Sequence, residues 1–339
     1  MGSVNTKFLT AAAVADYNTS HYWEFPEFQP GIVDFLNRKV SILPRISTTP
    51  ATGQPSRYKE QTKLPSNARF ANPRTGVKDG SYALESINAD YGRVERAAYL
   101  KCMVSQITYS MFDKELVAQQ GNEVALLKKD FDDMLIDFAR VQNNAIWNGS
   151  GTSADDSTSL DYAGVLNQVS KKIAIATPYD FTTKQGTMIT DQIRAQIAAS
   201  LADTTYDVFP TAVYLNPVTI ERIIDEERSR EGVRQVIPNS MELANGWKVS
   251  TINTAIGNLP LIPDPYIKLD TTTTAGKTIH TIAVVNEPLI ERHYLTTPMP
   301  RVFKMSTDAN LIDDYIAILF DAIVVKGADK AHFQLKLTI

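Results

Sequence analysis

The chain has 339 residues, 43% hydrophobic and 21% charged, which is typical of a folded globular protein and excludes disordered, collagen-like and coiled-coil classes. Its 34 basic and 38 acidic residues leave a net charge of −4, which argues against a protein whose main function is to bind the phosphates of a nucleic-acid duplex tightly. The single cysteine excludes an internal disulfide. The longest apolar stretch, at 315–325, is too short to span a bilayer.

The first two segments of the chain differ from the rest in composition. Residues 1–43 combine an alanine-rich stretch with several aromatic residues, which indicates an arm lying on a surface. Residues 44–80 hold five prolines, three glycines and only five large apolar side chains, too few for a core. Their seven basic and two acidic residues give +5 and leave −9 elsewhere. We therefore expect a loop laid onto a partner, with a solvated loop as the alternative.

A hairpin and a long helix follow. Residues near 54–62 and 92–108 have strand character and are predicted to be the two sides of a long hairpin. Apolar residues then recur at alternating spacings of three and four, which predicts one amphipathic helix. These residues are Val124, Leu127, Phe131, Met134, Phe138, Val141 and Ala145. Asn122 is the expected N-cap and Asn148-Gly149 the expected stop. The acidic side chains in the helix's first half are predicted to face solvent or a partner.

Helices and strands alternate between residues 164 and 285. Apolar residues four apart, at 189, 193, 197 and 201, predict a helix, and residues 211–215 predict a strand. Asn216 is the expected cap of a second helix that begins at Pro217. Further strands are predicted at 259–263 and 279–285. At the C-terminus, residues 315–325, a turn at 326–330 and the alternating stretch 333–339 predict a hairpin whose last strand buries one face.

No local sequence motif in the chain indicates a catalytic or ligand-binding site. Residues 149–154 fit the dinucleotide pattern G-x-G-x-x-A, but they follow a helix and run into Asp155-Asp156, so a loop is predicted. Cys102 is predicted to lie packed in a strand without an activated thiolate. The histidines lack metal-ligand spacing and are predicted to be surface or strand residues. They are His21, His280, His293 and His332. We expect no catalytic, cofactor or metal site, and no enzyme.

Three segments together carry a resemblance to a known family. Asn-Ala-Ile-Trp-Asn-Gly-Ser-Gly at 144–151, with Gly-Val-Leu at 164–166, is similar to the end of its spine helix and the following turn. Residues 210–217 are similar to its strand leading into an Asn-Pro helix start, and 314–319 with 333–338 to its closing strands. On these segments the chain resembles the major capsid protein of tailed bacteriophages, whose HK-ninety-seven-type fold is shared by encapsulin shells.

This resemblance implies a fold and a domain order. The fold class is α+β, an HK-ninety-seven-type capsid fold with an N-terminal arm, an extended hairpin loop, a peripheral domain with a long spine helix, and an α/β axial domain. The implied boundaries are 1–43 for the arm, 44–108 for the hairpin loop, 109–163 and 287–339 for the peripheral domain with spine helix 122–147, and 164–286 for the axial domain.

The resemblance also implies a function and a set of partners. The chain would be a major capsid protein that self-assembles through hexamers and pentamers into the icosahedral shell around a double-stranded DNA phage genome. The implied partners are other copies of the chain, scaffolding and portal proteins, and weak, non-specific contact with packaged DNA, without a cofactor or a membrane. The implied location is the virion capsid, assembled in the host cytoplasm.

Two other functions stay open. An encapsulin-like compartment would hold a protein cargo instead of a genome, and a soluble α+β enzyme would form a small oligomer with a pocket of titratable groups. For a shell, we hypothesise that the basic loop of one copy meets the acidic spine helix of a neighbour. The candidate interface residues are Arg57, Lys59, Lys63, Arg69 and Arg74 on the loop, and Asp130, Asp133 and Asp137 on the helix.

Overall fold

The structure is a computed structural model that describes residues 42–63, 92–119, 123–203, 208–229, 241–242, 248–271, 277–305 and 312–338. Within these ranges the chain forms fifteen β-strands and five α-helices. The helices are α1 (Met111–Gln119), α2 (Glu123–Asn148), α3 (Val165–Gln168), α4 (Ile189–Ala202) and α5 (Pro217–Ser229). This mixture confirms the predicted α+β class.

The strands are short except for β14 and β4. The first eight are β1 (Ser47–Pro50), β2 (Ser56–Lys63), β3 (Gly92–Ala98), β4 (Lys101–Ser110), β5 (Lys172–Ile175), β6 (Ala212–Leu215), β7 (Met241–Glu242) and β8 (Lys248–Val249). The others are β9 (Thr251–Thr254), β10 (Gly257–Pro263), β11 (Ile279–Val285), β12 (Ile290–Tyr294), β13 (Arg301–Lys304), β14 (Ile312–Val325) and β15 (Phe333–Thr338).

The described chain divides into two compact units. The smaller unit comprises residues 104–119, 123–138, 300–305 and 312–318, and the larger unit comprises the other described residues. The predicted arm lies outside the described residues except for 42–43. The boundaries that the resemblance implies for the hairpin, peripheral and axial segments stay a prediction.

The core of the larger unit is a six-stranded sheet in the order β5-β15-β11-β6-β10-β9. All four residues of β6 are buried because both faces of the sheet are covered. Helices α4 and α5 cover one face with Ile189, Ile193, Ile197 and Ile223, and the other face packs on Trp147. The Asn216 side chain caps α5 by accepting from the Val218 N–H at 3.0 Å, as predicted.

The predicted C-terminal hairpin is wrong. Strand β14 pairs with β12, β13 and β4, whereas β15 lies in the six-stranded sheet between β11 and β5. The alternation in β15 is confirmed in its apolar members, since Phe333, Leu335 and Leu337 are buried. On the opposite face Gln334 is also buried, whereas Lys336 and Thr338 are exposed. Two adjacent strand patterns with a short turn do not show which sheet each strand joins.

The predicted long hairpin is confirmed in its first part. Strands β2 and β3 pair antiparallel from Ser56↔Ala98 to Lys63↔Gly92, with one irregularity after Gln61. Residues beyond 98 do not continue the hairpin, because β4 pairs with β14 in another sheet.

The predicted long helix is confirmed as α2, and it ends at Asn148 as expected. Met134 and Phe138 are buried, but Val141 is 48% exposed, and Gln142 is buried in its place. A strict three-four repeat drifts around a straight α-helix by about 20° per heptad, so the buried stripe leaves the predicted seam within two turns. The side chains of Val124 and Leu127, and the predicted cap Asn122, lie outside the described residues.

The smaller unit is a sheet with helices on one face. Strand β13 pairs antiparallel with β14 from Arg301↔Ile318 to Lys304↔Tyr315. Tyr315 of β14 packs edge-on against Phe131 of α2, with ring centroids 5.2 Å apart. From α1, the Lys114 ammonium contacts the Asp313 carboxylate at 2.5 Å. Both helices therefore pack on the face of β14 that carries residues 313 and 315.

Candidate functional site

The β2–β3 hairpin presents charged side chains to solvent along most of its described length. In β2 the side chains of Arg57, Lys59 and Gln61 are exposed, while Tyr58 and Glu60 on the opposite face are half-buried. In β3 four consecutive residues, 93–96, are exposed. A two-stranded ribbon is at best marginally stable alone in water, so its free surface is available for a partner.

Among the described side chains of the hairpin, Lys59 is a basic residue without an ion pair. Arg57 donates to the Glu95 carboxylate at 3.1 Å, and Arg96 donates to Glu60. Lys59 makes no ion pair with any residue in the described ranges, and it lies directly opposite Glu95 in the register. The excess positive charge expected from the sequence is therefore present at Lys59 and partly neutralised at Arg57.

The root of the hairpin is fixed to the larger unit by a chain of buried hydrogen bonds. The Ser56 hydroxyl lies 2.8 Å from Nδ1 of His293, whose Nε2 lies 3.1 Å from the Glu291 carboxylate. Lys326 donates to the other oxygen of Glu291 at 2.5 Å, and its ammonium lies 5.8 Å from the centroid of the Tyr58 ring. Although burial acts against it, the hydrogen bonds from Lys326 and His293 lower the pKa of Glu291.

A second attachment of the hairpin is made by Gly327, the residue after Lys326. The Gly327 N–H donates to the Glu60 carboxylate, so the turn after β14 holds the half-buried face of β2. Burial, followed by the Glu60 charge, raises the pKa of Tyr58 to about 12, so its hydroxyl stays protonated.

The order Ser56, His293, Glu291 is that of a hydrolase triad, but its surroundings differ from those of an active site. Ser56 is 6% exposed and His293 3% exposed, so no substrate reaches the hydroxyl in this structure. We interpret the three residues as an anchor of the hairpin root. Sequence reasoning missed this anchor because Ser56 and His293 are 237 positions apart.

The predicted acidic residues lie on α2, within the smaller unit, and they differ in how free they are. Asp130 accepts a hydrogen bond from the Tyr109 hydroxyl at 2.7 Å, and burial raises its pKa. Asp133 pairs with Lys129 one turn earlier at 3.0 Å. Asp137 is exposed and makes no ion pair with a described residue. Asp137 is therefore the freest of the three predicted partners.

The remaining predicted residues are placed as follows. Lys63 ends β2, but its side chain lies outside the described residues, as do Arg69 and Arg74 altogether. Cys102 lies in β4 but is exposed rather than packed, and burial raises the pKa of its thiol. Among the described residues, no three or more His, Cys, Asp or Glu side chains gather to hold a metal ion. None of the helices in the described part of the chain has the length and apolarity of a membrane span.

The histidines were predicted to be surface or strand residues, and two of them, His280 in β11 and His293 in β12, lie in strands. His21 lies outside the described residues, and the other three are strand or strand-flanking residues that are buried rather than exposed. His332 is fully buried, accepting from the Asn286 N–H at 3.1 Å and donating to the Lys326 carbonyl at 3.0 Å. Burial lowers the pKa of His332 to about 4.

The glycine-rich segment at 149–154 is a loop, as predicted. A Cβ on Gly149 would lie 2.2 Å from the Tyr162 carbonyl oxygen, so glycine is required by close backbone approach rather than by a ligand. The loop is held to the chain by Lys101, which donates to the Asp156 carbonyl at 2.7 Å and the Ser159 carbonyl at 2.5 Å.

Comparison with known proteins gives structural matches alone. No family model matches the chain, and no curated protein matches it in sequence. The capsid of a native GTA particle is 14% identical with a TM-score of 0.58, covering 98% of this chain and 99% of that one. The SrpI encapsulin from Synechococcus elongatus PCC 7942 is 16% identical with a TM-score of 0.52, covering 95% and 94%.

A third structure is the head of Helicobacter pylori bacteriophage KHP40, which is 10% identical with a TM-score of 0.58, covering 95% of this chain and 96% of that one. At these identities the likeness shows the fold. It extends over nearly the whole length of both chains in each case.

Proposed function

We propose that this chain, which has the HK-ninety-seven-type fold, is a major capsid protein that self-assembles into the icosahedral shell around a double-stranded DNA phage genome. The observation that carries the proposal is the whole-chain likeness to the GTA capsid and the KHP40 phage head. A chain sharing one domain would match part of such a structure. Here at least 95% of each chain in these two comparisons is covered, so the likeness is not confined to one domain.

The exposed hairpin supports assembly on physical grounds. A closed shell needs several modest contacts between identical copies, since symmetry multiplies each of them and weak contacts let errors be undone. The hairpin exposes side chains on both strands and is attached at its root by Ser56 and Glu60. An anchored ribbon with free surface is suited to contact a neighbouring copy.

We assign this contact to the acidic surface of α2 in a neighbour. Lys59 supplies the freest described charge on the hairpin, and Asp137 the freest of the three predicted carboxylates on the helix. Arg57 and Asp133 contribute less, because each already has a partner in its own chain. Asp130 contributes least, since the hydrogen bond from Tyr109 holds it. Lys63, Arg69 and Arg74 belong to the same proposed basic surface.

The other partners follow from the proposed role. Hexamers and pentamers of the chain would form the shell in the host cytoplasm, with scaffolding and portal proteins guiding its construction. The net charge of −4 suits a container, because a strongly basic wall would hold DNA during packaging and release. Contact with packaged DNA is accordingly weak and independent of sequence. The role is structural, and no enzymatic step is proposed.

A second candidate is supported by one specific observation. The likeness to the SrpI encapsulin also covers 95% of this chain, so the fold is compatible with a protein compartment as well as with a phage head. The contents distinguish the two functions. Particles isolated from the cells that produce this protein are treated with nuclease and then opened. Protected double-stranded DNA of uniform length supports the phage capsid, whereas a protein cargo without DNA supports the compartment and contradicts the first proposal.

A further inference from the structure

Among the described residues of the smaller unit, the two helices lie on one face of the sheet and no helix lies on the other. Both of its helices contact the face of β14 that carries Asp313 and Tyr315. Side chains alternate along a strand, so residues 314, 316 and 318 point the other way. Their register partners on β13 share that direction, because directly paired residues project to the same side. Val104 joins them from β4, since Tyr109, five positions later, points to the helices and stacks near Tyr315.

We call this surface the open sheet face. It consists of Val104, Arg301, Phe303, Asp314, Ile316 and Ile318. Val104 is 55% exposed and Phe303 42% exposed, and the two isoleucines are half-buried. Four of these six side chains are apolar, and apolar side chains grouped on one face mark an interaction site more often than a solvated surface.

The charges at the two ends of this face are unpaired. Arg301 stacks its guanidinium 4.9 Å from the Phe303 ring centroid and makes no ion pair with a described residue. At the other end, Oδ1 of Asp314 is shielded from solvent and has no hydrogen-bond partner in the described part of the chain. The carboxylate therefore has an unsatisfied acceptor atom, and a cation that reached its other oxygen, Oδ2, would stabilise it.

These ends are complementary to each other under a two-fold rotation. Arg301 lies opposite Ile318 in the strand register, and the Met305 N–H donates to the Asp314 carbonyl at 2.8 Å, so Asp314 lies opposite Met305. The charges of Arg301 and Asp314 are therefore about four residues, or about 13 Å, apart along the strands. The apolar pair Phe303 and Ile316 lies midway between them. Turning a second copy by 180° about an axis through this pair brings each Arg301 against the partner's Asp314.

We infer that the open sheet face is a two-fold interface with a second copy of this chain. Phe303 and Ile316 form its apolar centre, and two reciprocal Arg301 to Asp314 ion pairs close its ends. An isologous contact of this type has the same residues on both sides, which the arrangement supplies. The inference rests on the proposed function in that it names a contact between shell subunits, and it uses a surface other than the hairpin.

Cross-linking tests the interface directly. In a Cys102→Ser background, Phe303→Cys is compared with Val302→Cys, its neighbour on the opposite face with the same 42% exposure. A short bismaleimide is added to the soluble protein and to any particles. We expect Phe303→Cys to yield covalent dimers about tenfold more efficiently than Val302→Cys, because residues near a two-fold axis meet their own copies. Equal, weak cross-linking of both variants would overturn the inference.

A charge exchange tests the ion pairs. Arg301→Asp or Asp314→Arg, each combined with Phe303→Cys, is expected to lower the dimer yield about tenfold, and the double exchange to restore it to within about twofold. A double variant no better than the single ones would contradict the reciprocal pairing. Shells without Phe303→Cys dimers would refute this interface and leave the proposed function standing, whereas dimers without shells would support the interface and count against the function.

Discussion

At the scale of single residues, the buried carboxylate of Asp321 is held by three hydrogen-bond donors. Asp321 is fully buried on β14 and accepts from Arg292 at 2.7 Å, from Gln142 at 2.5 Å and from the Tyr162 hydroxyl. Burial raises the pKa of Asp321, and these three donors stabilise its charged form. None of the partners could be paired from the sequence, since Gln142 and Asp321 are 179 positions apart.

Gly149 provides a test of the turn that ends α2. Replacement by alanine places a Cβ 2.2 Å from the Tyr162 carbonyl oxygen and 2.6 Å from that of Ala145. Since both are backbone atoms, we expect Gly149→Ala to lower the free energy of unfolding by about 1 to 3 kcal/mol. Gly53→Ala is the matched control, because its nearest atom would be 4.0 Å away. Denaturant unfolding would contradict this account if both variants changed stability by less than about 0.5 kcal/mol.

His332 predicts a loss of stability in acid. Its folded-state pKa of about 4 lies below the ordinary value of 6.5, because burial disfavours the charged ring. Between these values the unfolded chain binds more protons, so this contribution falls as the pH drops from 6.5 toward 4. The full loss is on the order of 3 kcal/mol.

The measurement is the free energy of unfolding against pH for the wild type and for His332→Gln. Glutamine can keep a donor and an acceptor but does not titrate, so the variant should show a shallower decline over this range. Identical slopes for the two proteins would show that His332 does not titrate as its burial requires.

At the scale of elements, local patterns predicted which segments are helices and strands better than how they pair. The helix α2 with its end at Asn148, the Asn216 cap and the buried apolar residues of β15 depend on neighbouring residues, and each was confirmed. Sheet membership depends on residues far apart, so the hairpin predicted for β14 and β15 was wrong. The exposed basic side of β2 was predicted from composition, while its buried root was not.

The buried stripe of α2 can be tested at two positions of the predicted seam. Phe138 is 3% exposed and Val141 is 48% exposed. We expect Phe138→Ala to lower the free energy of unfolding by about 3 to 5 kcal/mol and Val141→Ala by less than about 0.5 kcal/mol. Thermal unfolding of the two variants provides the comparison. If Val141→Ala lowered the free energy of unfolding about as much as Phe138→Ala does, Val141 would be part of the buried stripe, as the strict three-four repeat predicts.

At the scale of the whole molecule, the account requires that one copy is incomplete. The hairpin and the open sheet face both expose surface that a self-contained protein would cover, and the two surfaces serve different contacts. The composition predicted one of them, through the +5 charge of residues 44–80. The open sheet face could not be predicted, because the direction of each strand's side chains follows from packing against α1 and α2.

Charge reversal tests the hairpin contact. Lys59→Glu removes the freest described basic charge, and we expect it to reduce the yield of assembled particles about tenfold, since like charges then face each other across many equivalent contacts. Lys336→Glu is the control, because Lys336 is an exposed strand residue outside the hairpin. Adding Asp137→Lys to Lys59→Glu should recover assembly. Sedimentation profiles in which Lys59→Glu matches the control would refute the contact.

If copies of this chain close into a hollow shell, electron microscopy of the purified protein in negative stain will show it. The account predicts closed particles of uniform diameter with a stain-excluding wall. A preparation that stays monomeric, or forms only small oligomers, at high protein concentration would contradict it.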